Sequence, residues 1–167
     1  MEIVVWSPGT LSWNGNQVRC AIGHGGIRAE KKEGDGATPA GVFPLRRVMI
    51  RPDRLEAPKT GLPIRALDPA DGWCDDPRDG AYNQLVKLPF SASHEILWRD
   101  DAVYDVIVEV GYNDDPVKPG LGSAIFVHVA RPGFEPTEGC VALALDDLLR
   151  LLEDCNEQTV LSVSPRL

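Results

Sequence analysis

A thiol and an imidazole twelve positions apart are the side chains in this 167-residue sequence best suited to covalent chemistry. Cys140 sits in the short polar turn Thr137-Glu138-Gly139-Cys140-Val141, and His128 ends the apolar run Ser123-Ala-Ile-Phe-Val-His128. Gly139 admits backbone shapes that a Cβ would block, so the thiol can project with neighbouring N–H groups free. Only roughly a few per cent of a free thiol is ionised at neutral pH, and an adjacent imidazolium raises that fraction. The same imidazole can protonate a leaving amine and then take a proton from a second substrate. Amides of the Gly139-Cys140 turn are candidates for an oxyanion hole. Together these residues are suited to attack by the Cys140 thiol on a carbonyl, with His128 moving the protons and Gly139 shaping the turn. Set against this, a cysteine in a glycine turn beside apolar residues also suits a small buried hydrophobe.

The remaining cysteines and histidines suggest less. Cys74 precedes Asp75 and Asp76, whose charge suppresses a thiolate. Cys155 lies on an apolar helical stripe and Cys20 in a strand, so both read as packing. No C-x-x-C occurs, and His24, His94 and His128 do not fall into zinc-ligand spacing with the cysteines; no metal and no cofactor are expected. Disulfides stay open, although a chain of this length does not require them. His24, between two glycines, reads as an exposed turn residue.

The elements that must position Cys140 and His128 are mostly strands. Sixteen glycines and fourteen prolines favour short strands joined by turns. Ile3–Trp6 opens as a strand, Asn14-Gly15 marks a hairpin turn, and Arg19–Gly23 continues the second arm. A turn over Asp35–Phe43 leads into a strand over Phe43–Ile50. Prolines 52, 58, 63, 69, 77 and 89 forbid a long helix in residues 51–100, an irregular zone whose Gly72–Pro77 loop is expected to act as a lid or pocket wall. Val103–Val110 and Ser123–Val129 are strands, the second apolar enough to be central. Leu148, Leu151, Leu152 and Cys155 form one helical stripe with Asp146 and Asp147 in the first turn, and Thr159–Val163 closes as a strand. The expected fold is mainly β, one domain over residues 1–167, with a C-terminal helix beside the cysteine turn.

A net charge of −8 argues against nucleic acid and against electrostatic adhesion to an anionic membrane. The apolar run at the N-terminus lasts only four residues, too short for a leader, so either a leader has been removed or export uses no ordinary one. The chain is expected not to be membrane-embedded, and a monomer is expected.

His128 with Thr137-x-Gly139-Cys140-Val141 resembles the active-site motif of the L,D-transpeptidases, the YkuD-domain enzymes of bacterial cell walls. Thr38-Pro39-Ala-Gly41-Val-Phe43 is similar to a second marker of that family. Gly72-Trp73-Cys74-Asp75-Asp76, Tyr82-Asn83, Tyr112-Asn113 and Gly122–His128 resemble its short standalone branch. The resemblance spans about residues 35 to 150. It implies a mixed-sheet sandwich and a periplasmic enzyme whose partners are peptidoglycan stem peptides. Cys140 would attack the amide after an L-centre, and the thioester would pass to a diaminopimelate amine on a neighbouring stem, giving 1,3 or 3,3 links. Hydrolysis of the same thioester would make an L,D-carboxypeptidase or endopeptidase, and loss of activity would leave a binding module. The chain departs from the family in carrying Glu138 where most members have a second His, and Ala142 where they have an Arg thought to hold a substrate carboxylate. The 1,3-forming members resemble this branch. Thr137, Glu138, Tyr112, Asn113 and Trp73 are the expected substrate contacts. Competing readings are a left-handed turn residue for Asn113 and a local core plug for Trp73. A backbone carbonyl or Asn113 would orient His128, and Asp75 and Asp76 would either cap a loop or attract a cationic acceptor.

Overall fold

The computed structural model describes residues 1–166. Its main sheet grows from the long strand β6 (Gly41–Ile50), which runs antiparallel to β14 (Val160–Ser164) at its start and to β11 (Val106–Val110) further along. β1 (Glu2–Trp6) lies parallel beside β14, followed by the hairpin of β2 (Thr10–Trp13) and β3 (Asn16–Arg19). Asn14 and Gly15 turn that hairpin with φ of 44° and 79°, the two left-handed residues that match strand twist. On the far side, β12 (Phe126–Val129) pairs antiparallel with β11, and β13 (Val141–Leu143) parallel with β12. The short strand Ile64–Ala66, β7, adds to the end of β6. A small parallel pair joins β4 (Ile27–Arg28) to β5 (Thr38–Pro39).

Strand alternation gives this sheet two buried faces. Val48, Val106, Val108, Val127 and Leu143 join one core with Leu148, Leu151 and Leu152 of the single helix, α1 (Leu145–Asp154). Asp146 and Asp147 occupy its first turn, where carboxylates complement the helix dipole. Met49, Ile107, Phe126 and Cys140 face the other way, against Trp73, Leu97 and Tyr104. Among the described residues no helix is long and apolar enough to cross a membrane.

Two local expectations need correction. Residues 51–100 do lack helices, but they are not irregular: β8 (Asp71–Cys74), β9 (Leu85–Lys87) and β10 (His94–Ile96) form a three-stranded antiparallel sheet covering the second face. Gly72-Trp73-Cys74 is thus a buried strand. Its anchor is polar, since the fully buried Asp71 accepts hydrogen bonds from Arg65, Lys87 and the Asp68 N–H. Asp71 is consequently held well below the ordinary carboxylate range, at about 2, where its hydrogen bonds to Arg65 and Lys87 outweigh the opposing effect of burial. The second correction concerns Arg19–Gly23, which leaves the hairpin after Arg19; Ala21 bridges Ala142 and Gly23 bridges Thr137.

Candidate active site

The cysteine turn is built from three stretches of chain far apart in sequence. Gly139 has φ of 137°, and a Cβ there would lie 2.8 Å from the Ala37 carbonyl oxygen, so no other residue fits. Thr137 closes the turn: its hydroxyl donates to the Cys140 carbonyl at 2.6 Å and accepts the Gly139 N–H at 3.1 Å. Residues 21–24 dock along it, with Ala21 and Ala142 exchanging both backbone bonds and the His24 N–H donating to Thr137 O. Gly23 is pinned in turn by the Thr38 hydroxyl, which accepts its N–H at 2.8 Å. The Thr38-Pro39 marker therefore braces the cysteine turn from behind.

Phe126 and His128 share one face of β12, and Cys140 reaches the same face from the start of β13. The Cys140 Sγ donates to Ala124 O at 3.2 Å and accepts the Phe126 N–H at 3.3 Å. Ala124 is itself left-handed, with φ of 52°, and its N–H is held by Asn83 Oδ1. Asn83 also accepts from Trp73 Nε1 and donates to the Tyr112 and Asn113 carbonyls. His128 Nδ1 lies 2.9 Å from Val129 O, so a backbone carbonyl orients the ring; this partner can only accept, which puts the proton on Nδ1 and leaves Nε2 as the basic nitrogen. The Tyr104 ring packs edge-on against the imidazole at 5.4 Å.

Cys140 and His128 are 8% and 6% exposed. Burial pushes the thiol up to about 12 and the imidazole down to about 4, because each charged form would lose its water. No hydrogen bond joins Sγ to His128. At rest this is a neutral pair, where the spacing argument anticipates an imidazolium lowering the thiol's pKa.

Both side chains line one cavity of about 300 Å³, together with Thr137 and Glu138. Trp73, Tyr112 and Asn113 do not line it. Trp73 is buried against Phe126, with ring centroids 5.1 Å apart. The Tyr112 hydroxyl donates to Leu121 O, and Asn113, left-handed at φ 49°, ties together the loop of residues 113–122. Through Asn83 these three nevertheless connect to the carbonyl that holds Sγ. Asp75 lines the cavity, whereas Asp76 is bonded to Arg78. His24 reaches the rim, its Nε2 lying 3.0 Å from Glu138 Oε2.

Sequence reasoning missed Tyr104, Glu95, Glu33, Lys31, Arg99 and Arg131, which line the same cavity. None stands at a telling interval from Cys140 or His128; the small sheet and the segment between β4 and β5 carry several of them there. Lys31 is paired with Asp35 and Arg99 with Asp101, which leaves Arg131 as the cavity cation without an ion pair among the described residues. All four cysteines are free, and among the described residues no group of three or more His, Cys, Asp or Glu side chains is arranged to hold a metal ion.

Comparison with known proteins bears on the fold and the family. A solved structure, the helical cell shape determining protein Pgp2 from Campylobacter jejuni, matches with a TM-score of 0.50 at 15% identity, over 99% of this chain and 48% of its own. The chain thus spans about half the length of that protein, and the likeness is one of fold. No curated protein matches. The YkuD family model, described as the L,D-transpeptidase catalytic domain, matches residues 2–163, from the first strand to the last and across the whole cavity. By that match the chain belongs to the YkuD L,D-transpeptidase family of cysteine-based, peptidoglycan-modifying enzymes.

Proposed function

We propose that the chain is a periplasmic peptidoglycan L,D-transpeptidase that forms stem-peptide cross-links through a Cys140 thioester. The observation that carries this is the convergence of Cys140 and a His128 of fixed tautomer on one cavity. In acylation, Sγ leaves Ala124 O, passes its proton to His128 Nε2 and attacks the amide that follows an L-centre. Gly139's N–H is engaged by Thr137, so the Cys140 N–H is the turn amide left to meet the developing oxyanion. His128 then gives its proton to the departing amine of the D-residue. Because thiol and imidazole begin neutral, charge separates only as substrate displaces water, and the nucleophile is quiet in the empty site.

Arg131 compensates for the missing arginine at Ala142. As the cavity cation without an ion pair among the described residues, it is suited to hold the donor's terminal carboxylate. The second half-reaction joins an acceptor amine to the acyl carbon and releases the thiol.

The test incubates wild type and Cys140→Ala with purified disaccharide-tetrapeptide and disaccharide-pentapeptide, followed by tandem mass spectrometry. Dimers formed by wild type alone are expected, with fragments placing the link at residue one or three of the donor stem. Shortened stems without dimers would instead make the protein an L,D-carboxypeptidase or endopeptidase, and untouched stems would refute the enzyme.

A further inference from the structure

A second groove, of about 640 Å³, opens beside the Cys140 cavity. One loop with a proline near each end, Arg131-Pro132-Gly133-Phe134-Glu135-Pro136, walls both: Arg131 and Glu135 line the cavity, Phe134 and Pro136 the groove. At the rim His24 of the groove meets Glu138 of the cavity at 3.0 Å. The two spaces differ in charge. Five carboxylates line the cavity (Glu33, Asp75, Glu95, Glu135 and Glu138), whereas among the described residues none lines the groove. In a chain with 25 acidic residues against 17 basic, that makes the groove the place suited to an anion. Its cation is Arg19, which has no ion pair among the described residues. The Arg19 guanidinium lies 4.7 Å from the centroid of the Phe134 ring and donates to Gly133 O at 3.3 Å, which fixes its plane and leaves the rest of its fork for a ligand. Phe134 joins neither hydrophobic core, yet it stands half-buried with φ of 57°, where a bulky residue is strained. What the strained turn achieves is an aromatic surface in the groove beside Arg19, above a floor that includes Pro8 and Ile22.

We propose that this groove holds the part of the donor stem beyond the attacked amide, the anionic peptide that departs as an amine when Cys140 is acylated. This rests on the thioester chemistry proposed above and adds the residues that choose which amide is attacked. In that step the Sγ–C bond forms, the C–N bond breaks, and the thiol proton passes through His128 Nε2 to the departing nitrogen. A thioester and a free amine result. A single departing D-residue is held by Arg131 inside the cavity and never reaches Arg19. A longer segment crosses the shared loop, with carboxylates on both arginines and aliphatic carbons on Phe134, Pro8 and Ile22. Contacts so far from the thiol lower the barrier to acylation only when the attacked carbonyl belongs to residue one, because only then does the long segment D-Glu-γ-diaminopimelate-D-Ala depart. The groove thereby directs acylation to residue one and the link to the 1,3 type.

The test begins with binding, which does not depend on turnover. The full chain carrying Cys140→Ala is titrated calorimetrically with the departing peptide, D-Glu-γ-meso-diaminopimelate-D-Ala, and with the same peptide amidated at every free carboxylate. The acid is expected to bind about 5- to 10-fold more tightly. That preference should fall when Arg19→Gln is added, with near-ultraviolet circular dichroism unchanged, and Phe134→Leu should weaken binding of both peptides. Equal binding of acid and amide, no binding of the acid, or a preference untouched by Arg19→Gln would overturn the groove. Wild type is then given disaccharide-tetrapeptide, and the released peptide is identified by mass spectrometry. Release of D-Glu-γ-meso-diaminopimelate-D-Ala is the expected result, slowed in Arg19→Gln. Release of D-Ala alone would overturn the proposal and leave the transpeptidase reading intact. If stems stay untouched while the Arg19-dependent preference holds, the enzyme reading fails and the peptide-binding groove stands.

Discussion

Alkylation of Cys140 in the free protein distinguishes a neutral resting pair from a preformed thiolate–imidazolium pair. Burial moves the thiol from an ordinary 9.0 to about 12. At pH 7.5, below both values, a group so held has roughly a thousandfold fewer thiolates, a difference of about 4 kcal/mol. Iodoacetamide consumes thiolate, so its rate at Cys140, followed by intact mass and peptide mapping from pH 6 to 10.5, should climb with pH and reach no plateau. The same residue in guanidinium-unfolded chain supplies the reference and should level off near 9. Restricted access to a buried thiol would lower every rate by one factor and leave the midpoint in place, so the midpoint decides. A plateau centred at pH 8 or below in the folded protein would refute the reasoning, because it would mean that an imidazolium already stabilises the thiolate.

Three further outcomes follow from the same geometry. His128 is held at about 4 against an ordinary 6.5, so between those values the unfolded chain binds the proton first; stability should fall on acidification through that window, by up to about 3 kcal/mol, and the loss should vanish in His128→Gln. Glu95 and Glu109, whose carboxyls burial holds above the ordinary range, act in the opposite sense, which is why urea unfolding of the two proteins is compared across pH. Asn83→Ala strips partners from Trp73 Nε1, the Ala124 N–H and two carbonyls and should cost about 3 to 4 kcal/mol by the same measurement. Gly139→Ala drives a methyl against Ala37 O and should cost about 2 to 3 kcal/mol and abolish product, whereas unchanged stability would show that the turn is not constrained as described.

The strands, the Asn14-Gly15 hairpin and the Leu148–Leu152 stripe were legible because each is a local pattern of period or turn chemistry. Cys140 and His128 were legible as a pair because they flank one turn. Their protonation was not, since it depends on how completely Phe126, Tyr104 and their neighbours shut out water. Glu33 and Glu95 escaped notice because carboxylates in a chain so acidic carry no signal until folding gathers them. Trp73, Tyr112 and Asn113 were noticed through motif likeness alone; the structure gives them a place around Asn83, one hydrogen bond removed from the carbonyl that takes the thiol. Residues 51–100 looked irregular because prolines hide strands of three or four residues whose pairing is set by the polar anchor at Asp71.

The position of β14 between β6 and β1 governs the order of assembly. Ile3 is paired with Leu161, and the N-terminal hairpin joins the rest of the sheet only through β14. A chain emerging residue by residue therefore has no place to dock β1–β3 until β14 is available. The segment after β3, which clamps the cysteine turn through Ala21 and Gly23, follows that hairpin. Contacts so distant in sequence close slowly. The keystone strand thus ties completion of the Cys140 turn to completion of the sheet, and partly assembled chains hold a thiol with no framework to aim it.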